Sequence, residues 1–180
     1  NPNHVRVAFL TAQIGKERER ALLAQARSAA SRGNVQQAIA VLDRASIAGS
    51  NSPVVADARN DIAQRNVDNR VSEFLRRANE RLRQGALVEP AQNNARFFIE
   101  SARALSPNQA EVRTTQKLLT DRIVAQVRTS IANSNADEAD RWIVAASDTG
   151  VPREDVTALT REVQRLRIAT RADSMAKLSQ

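Results

Sequence analysis

The sequence predicts an all-α protein built from repeated helical hairpins, and three observations support this prediction. Alanine, leucine, arginine, glutamine and glutamate, which favour helices, are abundant, whereas glycine and proline number five each in 180 residues. The β-branched residues occur singly and do not alternate with polar residues as they would in a strand. A pattern of small and large apolar residues returns at intervals of about fifty residues, which is typical of a helical solenoid.

Each repeat has a turn residue followed by a shorter helix with a small, a large and a small apolar residue at helical spacing. The turn residues are Gly33, Gly85 and Ser134, and the apolar stripes are Ala38, Leu42, Ala45, then Ala95, Ile99, Ala102, then Ala139, Ile143, Ala146. The second copy has five extra residues, which include Pro90, between its turn and its stripe. Small residues let two helices approach closely, and stacked hairpins bury a continuous core that a single hairpin could not bury.

A long helix is expected before each turn, and a proline is expected to start each long helix, where its missing N–H costs nothing. These prolines are Pro2, Pro53, Pro107 and Pro152. The sequence thus predicts about seven helices, alternately long and short, in a right-handed α-solenoid with extended first helices. The predicted repeats span about 4–48, 53–105 and 107–148, with a closing helix at about 153–178, in a single domain over residues 1–180.

Composition and charge leave several binding partners open. The net charge of +7 comes almost entirely from arginine and permits binding to nucleic acid, anionic lipid or acidic protein. The chain has no cysteine, which is compatible with either the cytoplasm or the periplasm. It has no apolar run of the roughly 20 residues that span a bilayer, so we expect no membrane span within it. It begins without methionine, which indicates a piece of a longer protein.

The residues that catalysis or metal binding would need are scarce. His4 is the only histidine and lies near the N-terminus, and the glycines occur singly rather than in a phosphate-binding loop. Asp137, Glu138 and Asp140 lie in the first turn of a predicted helix, where the helix dipole favours carboxylates. We therefore expect a protein that is not an enzyme, with no catalytic residue, no cofactor and no metal site.

The few aromatic residues are expected to serve mainly in packing. Trp142, the only tryptophan, lies on the apolar stripe of the third short helix, which favours core packing over an exposed binding anchor. Phe97 and Phe98 are adjacent and therefore point about 100° apart on a helix. We expect one of these two rings in the core and the other at a helix contact or exposed.

The order of small residues, turn residue and proline resembles the tetratricopeptide repeat. The second copy matches this family with Ala78, Gly85, Ala95, Ala102 and Pro107 once the insert is removed, and the first with Ala26, Gly33, Ala38, Ala45 and a displaced Pro53. The third copy is a looser match, with Val127, Ser134, Ala139, Ala146 and Pro152. The family's period of 34 residues is lengthened here to about fifty by an extended first helix.

The stretch GALVEPAQNNARFFIESARALSPNQAEV has a narrower resemblance. It resembles the helical segment upstream of the C-terminal TonB domain in proteobacterial TonB-like energy-transducer proteins. The TonB domain, the proline-rich spacer and the membrane anchor of those proteins are absent from this sequence. The resemblance implies a periplasmic location and contact with partners during energy transduction in the envelope, and a cytoplasmic location is the alternative.

The tetratricopeptide resemblance also implies a binding surface, because the first helices of such arrays line a concave groove. The family's offsets point to Arg20, Arg27 and Ser31, to Ser72, Asn79 and Arg83, and to Asp121 and Arg128. The partner-binding residues implied are Arg20, Arg27, Asn79, Arg83 and Arg128. Arginine binds a carboxylate through two parallel hydrogen bonds, so an acidic segment or a C-terminal carboxylate is the expected ligand. The alternative is that these side chains are simply solvated.

Three classes of function follow from these patterns. The leading interpretation is a non-enzymatic domain for protein–protein interaction or scaffolding, which binds a peptide or protein in its groove. The second is nucleic-acid binding, which the scarcity of aromatic residues for base stacking disfavours. The third is a passive spacer or oligomerisation module, and the oligomeric state is left open.

Overall fold

The computed structural model describes residues 2–47 and 52–178, and these fold into seven α-helices with no strand among them. The helices are α1 (Pro2–Ser31), α2 (Val35–Ile47), α3 (Pro53–Gln84), α4 (Ala95–Leu105), α5 (Ala110–Ala132), α6 (Ala136–Thr149) and α7 (Arg153–Leu178). The all-α class and the number of helices are confirmed. Long helices of 30, 32, 23 and 26 residues alternate with short ones of 13, 11 and 14. Residue 48, where the first predicted repeat ends, lies outside the described residues.

The three turn residues identified in the repeats share a left-handed backbone. Their φ angles are 81° at Gly33, 74° at Gly85 and 57° at Ser134. At each turn the following residue donates its N–H to a carbonyl five residues earlier, and the pairs are Asn34 to Ala29, Ala86 to Arg81, and Asn135 to Ser130, at 2.9 to 3.0 Å. This hydrogen bond satisfies a carbonyl that the end of a helix leaves unpaired. The equivalence of the three turns therefore extends from the sequence to the backbone.

Not every long helix begins at its predicted proline. Pro53 is the first residue of α3, and Pro152 directly precedes α7. The prediction that Pro107 starts a helix is wrong by three residues, because α5 begins at Ala110. The N–H of Gln109 instead donates to the carbonyl of Ser106 at 3.4 Å, which closes a turn with proline in its second position.

The chain divides into two compact units, residues 1–70 and 71–180, and the boundary falls within α3. The assignment of one domain to residues 1–180 stays a prediction. The core of the first unit is formed by Leu23, Ala26, Ala29, Ala38, Val41, Leu42, Ala45, Val55 and Ile62. The side chains of residues 4–18 on α1 are exposed, and these include the large apolar residues Val5, Phe9 and Ile14.

The second unit has two hydrophobic clusters. One includes Leu82, Ile99, Leu119 and Ile123, and the other includes Val127, Ile143, Leu159 and Val163. Trp142 packs against both clusters. All nine residues of the three apolar stripes are buried, with alanine at the outer positions fully enclosed. Burying one large aliphatic side chain contributes about 1.5–3 kcal/mol, so each stripe anchors its short helix to the neighbouring long one.

Candidate functional site

The predicted partner-binding residues fall into two groups. Arg20 and Arg27 lie on α1 in the first unit, and both side chains are exposed. Asn79 and Arg83 lie on α3, and Arg128 lies on α5, in the second unit. Asn79 is half-buried, and the guanidinium of Arg83 is bonded to Glu80 at 2.6 Å. Their role in binding a partner stays a prediction.

The predicted residues on α5 belong to a charged face of that helix. Successive residues of a helix are about 100° apart, so Arg113, Lys117, Asp121 and Arg128 lie within about 80° of one another. All four side chains are exposed. Arg122 is about 180° from Arg113 by the same geometry and lies on the opposite face of the helix. The face that includes Arg128 therefore has charged side chains along α5, with Val124 between Asp121 and Arg128.

One end of this charged face borders a cavity of about 460 Å³, which we call the α5 cleft. It is lined by the end of α4, by α5, and by residues 150–155, which include the first turn of α7. The lining residues that bear on ligand binding are Arg103, Arg113, Gln116, Lys117, Asp121 and Asp155. Three helices of the second unit thus contribute charged side chains to one cavity.

The charges in the α5 cleft are incompletely paired. The ammonium group of Lys117 donates to both carboxylate oxygens of Asp121, at 3.0 and 2.8 Å. Arg103, Arg113 and Asp155 make no ion pair with any side chain in the described part of the molecule. The lining has three cationic side chains against two carboxylates, so the cleft has an excess of positive charge. It presents two guanidinium groups that can bind an external anion.

Hydrogen bonds join α5 to the end of α6 beside the α5 cleft. The amide of Gln116 on α5 donates to the carbonyl of Thr149 at the end of α6, at 2.6 Å. The buried hydroxyl of Thr149 donates in turn to the carbonyl of Ala145 at 2.7 Å. Gly150 then ends α6 with a φ of 87°, and the chain turns toward α7. The cleft is therefore bounded by elements that are fastened to one another.

Two arginines on α3, outside the α5 cleft, form ion pairs with an acidic residue of the same helix. The guanidinium groups of Arg76 and Arg77 both donate to Glu73, at 2.7 to 2.9 Å. These hydrogen bonds lower the pKa of Glu73 from 4.5 to about 2. Arg77 also lies 5.8 Å from the ring centre of Phe98. Both guanidinium groups thus have an ionic partner on α3, which distinguishes them from Arg103 and Arg113.

The acidic cluster at the start of α6 has partners within the protein. One guanidinium nitrogen of Arg167 donates to Asp137 at 2.8 Å and to Asp140 at 2.6 Å. The side chain of Asn135 caps the helix by accepting the N–H of Glu138 at 3.1 Å. Within residues 2–47 and 52–178, no three acidic or histidine side chains are grouped so that they could hold a metal ion.

The aromatic residues follow the sequence-based expectation. Phe98 is buried and Phe97 is 37% exposed, and their rings meet edge to face with centres 5.3 Å apart. Trp142 is half-buried, so it contributes to the core while part of its ring remains accessible. Sequence reasoning missed Arg103 and Arg113, although the spacing of Arg113 from Lys117 and Asp121 would have placed it on their face.

Comparison with known protein families, curated proteins and solved structures finds no match to this chain. In the described part of the chain, no helix combines the length and apolar character needed to cross a membrane.

Proposed function

We propose that this chain is a non-enzymatic protein-interaction domain that binds an acidic segment of a partner protein. The supporting observation is the α5 cleft, in which Arg103 and Arg113 have no ionic partner among the described residues. A guanidinium group can hold a carboxylate through two parallel hydrogen bonds, and an exposed acidic segment supplies such carboxylates. The cavity of about 460 Å³ has room for a few side chains of such a segment.

The proposed architecture is a right-handed α-solenoid of tetratricopeptide-like hairpins with extended first helices. Its support is the shared left-handed turn at Gly33, Gly85 and Ser134, together with the buried stripe in each short helix. In this architecture Arg20 and Arg27 in the first unit, and Asn79, Arg83 and Arg128 in the second, would contact a partner from the first helix of each hairpin. The proposed setting is a TonB-like energy-transducer protein in the periplasm, with a cytoplasmic scaffold as the alternative.

Fluorescence anisotropy with a labelled peptide of four consecutive glutamates tests the α5 cleft, and a peptide of four glutamines serves as the neutral control. Replacing Arg103 and Arg113 together by glutamate should weaken binding by up to about thirtyfold, because two exposed ion pairs contribute about 1 kcal/mol each at most. Arg122→Glu is the matched control for the single substitution Arg113→Glu, since both make the same charge change and the two residues lie on opposite faces of α5. Equal weakening by Arg122→Glu would show that only overall charge matters and would refute the proposed site.

Two further measurements separate the competing functions. Tight binding of labelled single-stranded RNA, with affinity that falls steeply as salt is raised, would favour a nucleic-acid-binding protein over the proposed function. Light scattering reports whether the chain assembles with itself, which the oligomerisation alternative requires. Circular dichroism of each variant confirms that a loss of binding does not come from unfolding.

A further inference from the structure

A second cavity lies in the unit of residues 71–180, and we call it the Trp142 cleft. It has a volume of about 380 Å³ and is formed by the segment after α3 and by one face of α6. The residues that matter for recognition are Leu87, Val88, Glu89, Glu138, Arg141 and Trp142. None of them lines the α5 cleft, so the two cavities are separate sites.

The position of the indole ring in this cleft is set by the core. Trp142 packs against both hydrophobic clusters of the second unit and is only half-buried, which leaves part of its surface to line the cavity. Leu87 is buried and Val88 half-buried, and both also line the cavity. The ring is therefore a preorganised aromatic surface, which lowers the entropy cost of binding a ligand against it.

The charge of the Trp142 cleft is opposite to that of the whole chain. Its lining has two carboxylates, Glu89 and Glu138, against the single cation Arg141, whereas the chain has a net charge of +7. Glu89 is exposed and makes no ion pair within the described residues. Glu138 accepts a hydrogen bond from the amide of Asn135 at 2.9 Å and also has no ionic partner among them. The cleft therefore favours a cationic ligand.

The segment that forms one wall of the cleft is held firmly. The buried amide of Asn94 donates to the carbonyl of Val88 at 2.7 Å and to that of Pro90 at 2.8 Å. The N–H of Arg96 donates to the carbonyl of Leu87 at 3.0 Å. These bonds fasten the backbone on both sides of Glu89, so the position of this residue is restricted.

The segment that forms this wall contains the five-residue insert that the other two repeats lack. The turns at Gly33 and Ser134 join their helices without the five extra residues found after Gly85. Two helices of this kind can therefore be joined without the insert, so the need to connect them does not explain the insert. The insert supplies Val88 and Glu89 to the lining of the cleft.

We propose that the Trp142 cleft binds an arginine side chain presented by a partner polypeptide. A guanidinium group stacks on an aromatic face and forms two parallel hydrogen bonds with a carboxylate, and the cleft offers Trp142 for the first contact and Glu89 for the second. The apolar wall of Leu87 and Val88 suits the methylene stem of the same side chain. This site does not depend on the acidic-segment site in the α5 cleft.

The chain itself provides the probe for this proposal, because Trp142 is its only tryptophan and it has no tyrosine. Indole fluorescence is titrated with a blocked Gly-Arg-Gly tripeptide, and blocked Gly-citrulline-Gly serves as the uncharged control of the same shape. We expect a saturable change with a dissociation constant in the millimolar range for the arginine peptide, since one side chain makes all the contacts. A response without saturation, or equal binding of the citrulline peptide, would overturn the proposal.

Variants then locate the contact. Glu89→Gln should weaken binding of the arginine peptide about fivefold or more, while Glu162→Gln, an exposed acid on α7 outside the cleft, should leave it unchanged. Equal effects of the two substitutions would overturn the assignment of Glu89, and equal affinity for a Gly-Lys-Gly peptide would overturn the preference for arginine. Glu89→Gln should not alter binding of the acidic peptide, so failure of this site can be told apart from failure of the α5 cleft.

Discussion

Replacing Gly33 by alanine tests the backbone geometry that ends the first long helix. Gly33 has a φ of 81°, and a Cβ atom added there meets no other atom within 4 Å. The cost is therefore the left-handed conformation itself, which is about 1–2 kcal/mol for a residue with a side chain. Alanine also lowers the conformational entropy of the unfolded chain, which offsets about 0.4–1 kcal/mol of this cost. We expect the free energy of unfolding to fall by about 1 kcal/mol.

Gly15→Ala provides the matched control in the same helix. A Cβ at Gly15 also meets nothing within 4 Å, but Gly15 lies inside α1, where alanine is favoured over glycine by about 0.8–1 kcal/mol. Urea unfolding followed by circular dichroism measures both variants, and thermal unfolding should show a decrease of about 2–4 °C for Gly33→Ala. The reasoning is refuted if Gly33→Ala unfolds as wild type does, or if Gly15→Ala is destabilised as much as Gly33→Ala.

Substitutions at three further residues test other parts of the structure. Ser134→Gly should raise the urea midpoint, with a gain of about 1 kcal/mol, because Ser134 has a φ of 57°. Asn94→Ala should cost about 2 kcal/mol, and Asn94→Asp should cost at least as much, because it retains the acceptor for the N–H of Phe97 but places a buried carboxylate oxygen against the carbonyls of Val88 and Pro90. The pKa of Glu73 is lowered from 4.5 to about 2, so its contribution to stability is present above about pH 4.5 and is lost as the pH falls toward 2. The difference in melting temperature between wild type and Glu73→Gln should shrink as the pH falls from 4.5 toward 2. A difference that stays constant would contradict the lowered pKa of Glu73.

The sequence by itself determined the helices and their order. Helical periodicity and the left-handed turn residues are local signals, so they place an element without knowledge of the rest of the chain. Ser134 is an example, because it aligns with Gly33 and Gly85 in the sequence and shares their left-handed backbone, which serine rarely adopts. Pro107 shows the limit, since proline also suits a turn, and the structure uses it in the turn before α5.

Only the tertiary structure decided which charged and aromatic side chains share a cavity. Arg103, Arg113 and Asp155 come from three helices, and no spacing along the chain relates them. The spacing of Glu73 from Arg76 and Arg77 is a local signal for their ion pairs, whereas the sequence could not show that Arg103 has no such partner among the described residues. Trp142 was correctly placed on a packing stripe, but its accessible surface depends on the insert after Gly85 that lies beside it. Helices form from contacts between near neighbours, whereas these clefts form where distant segments pack together.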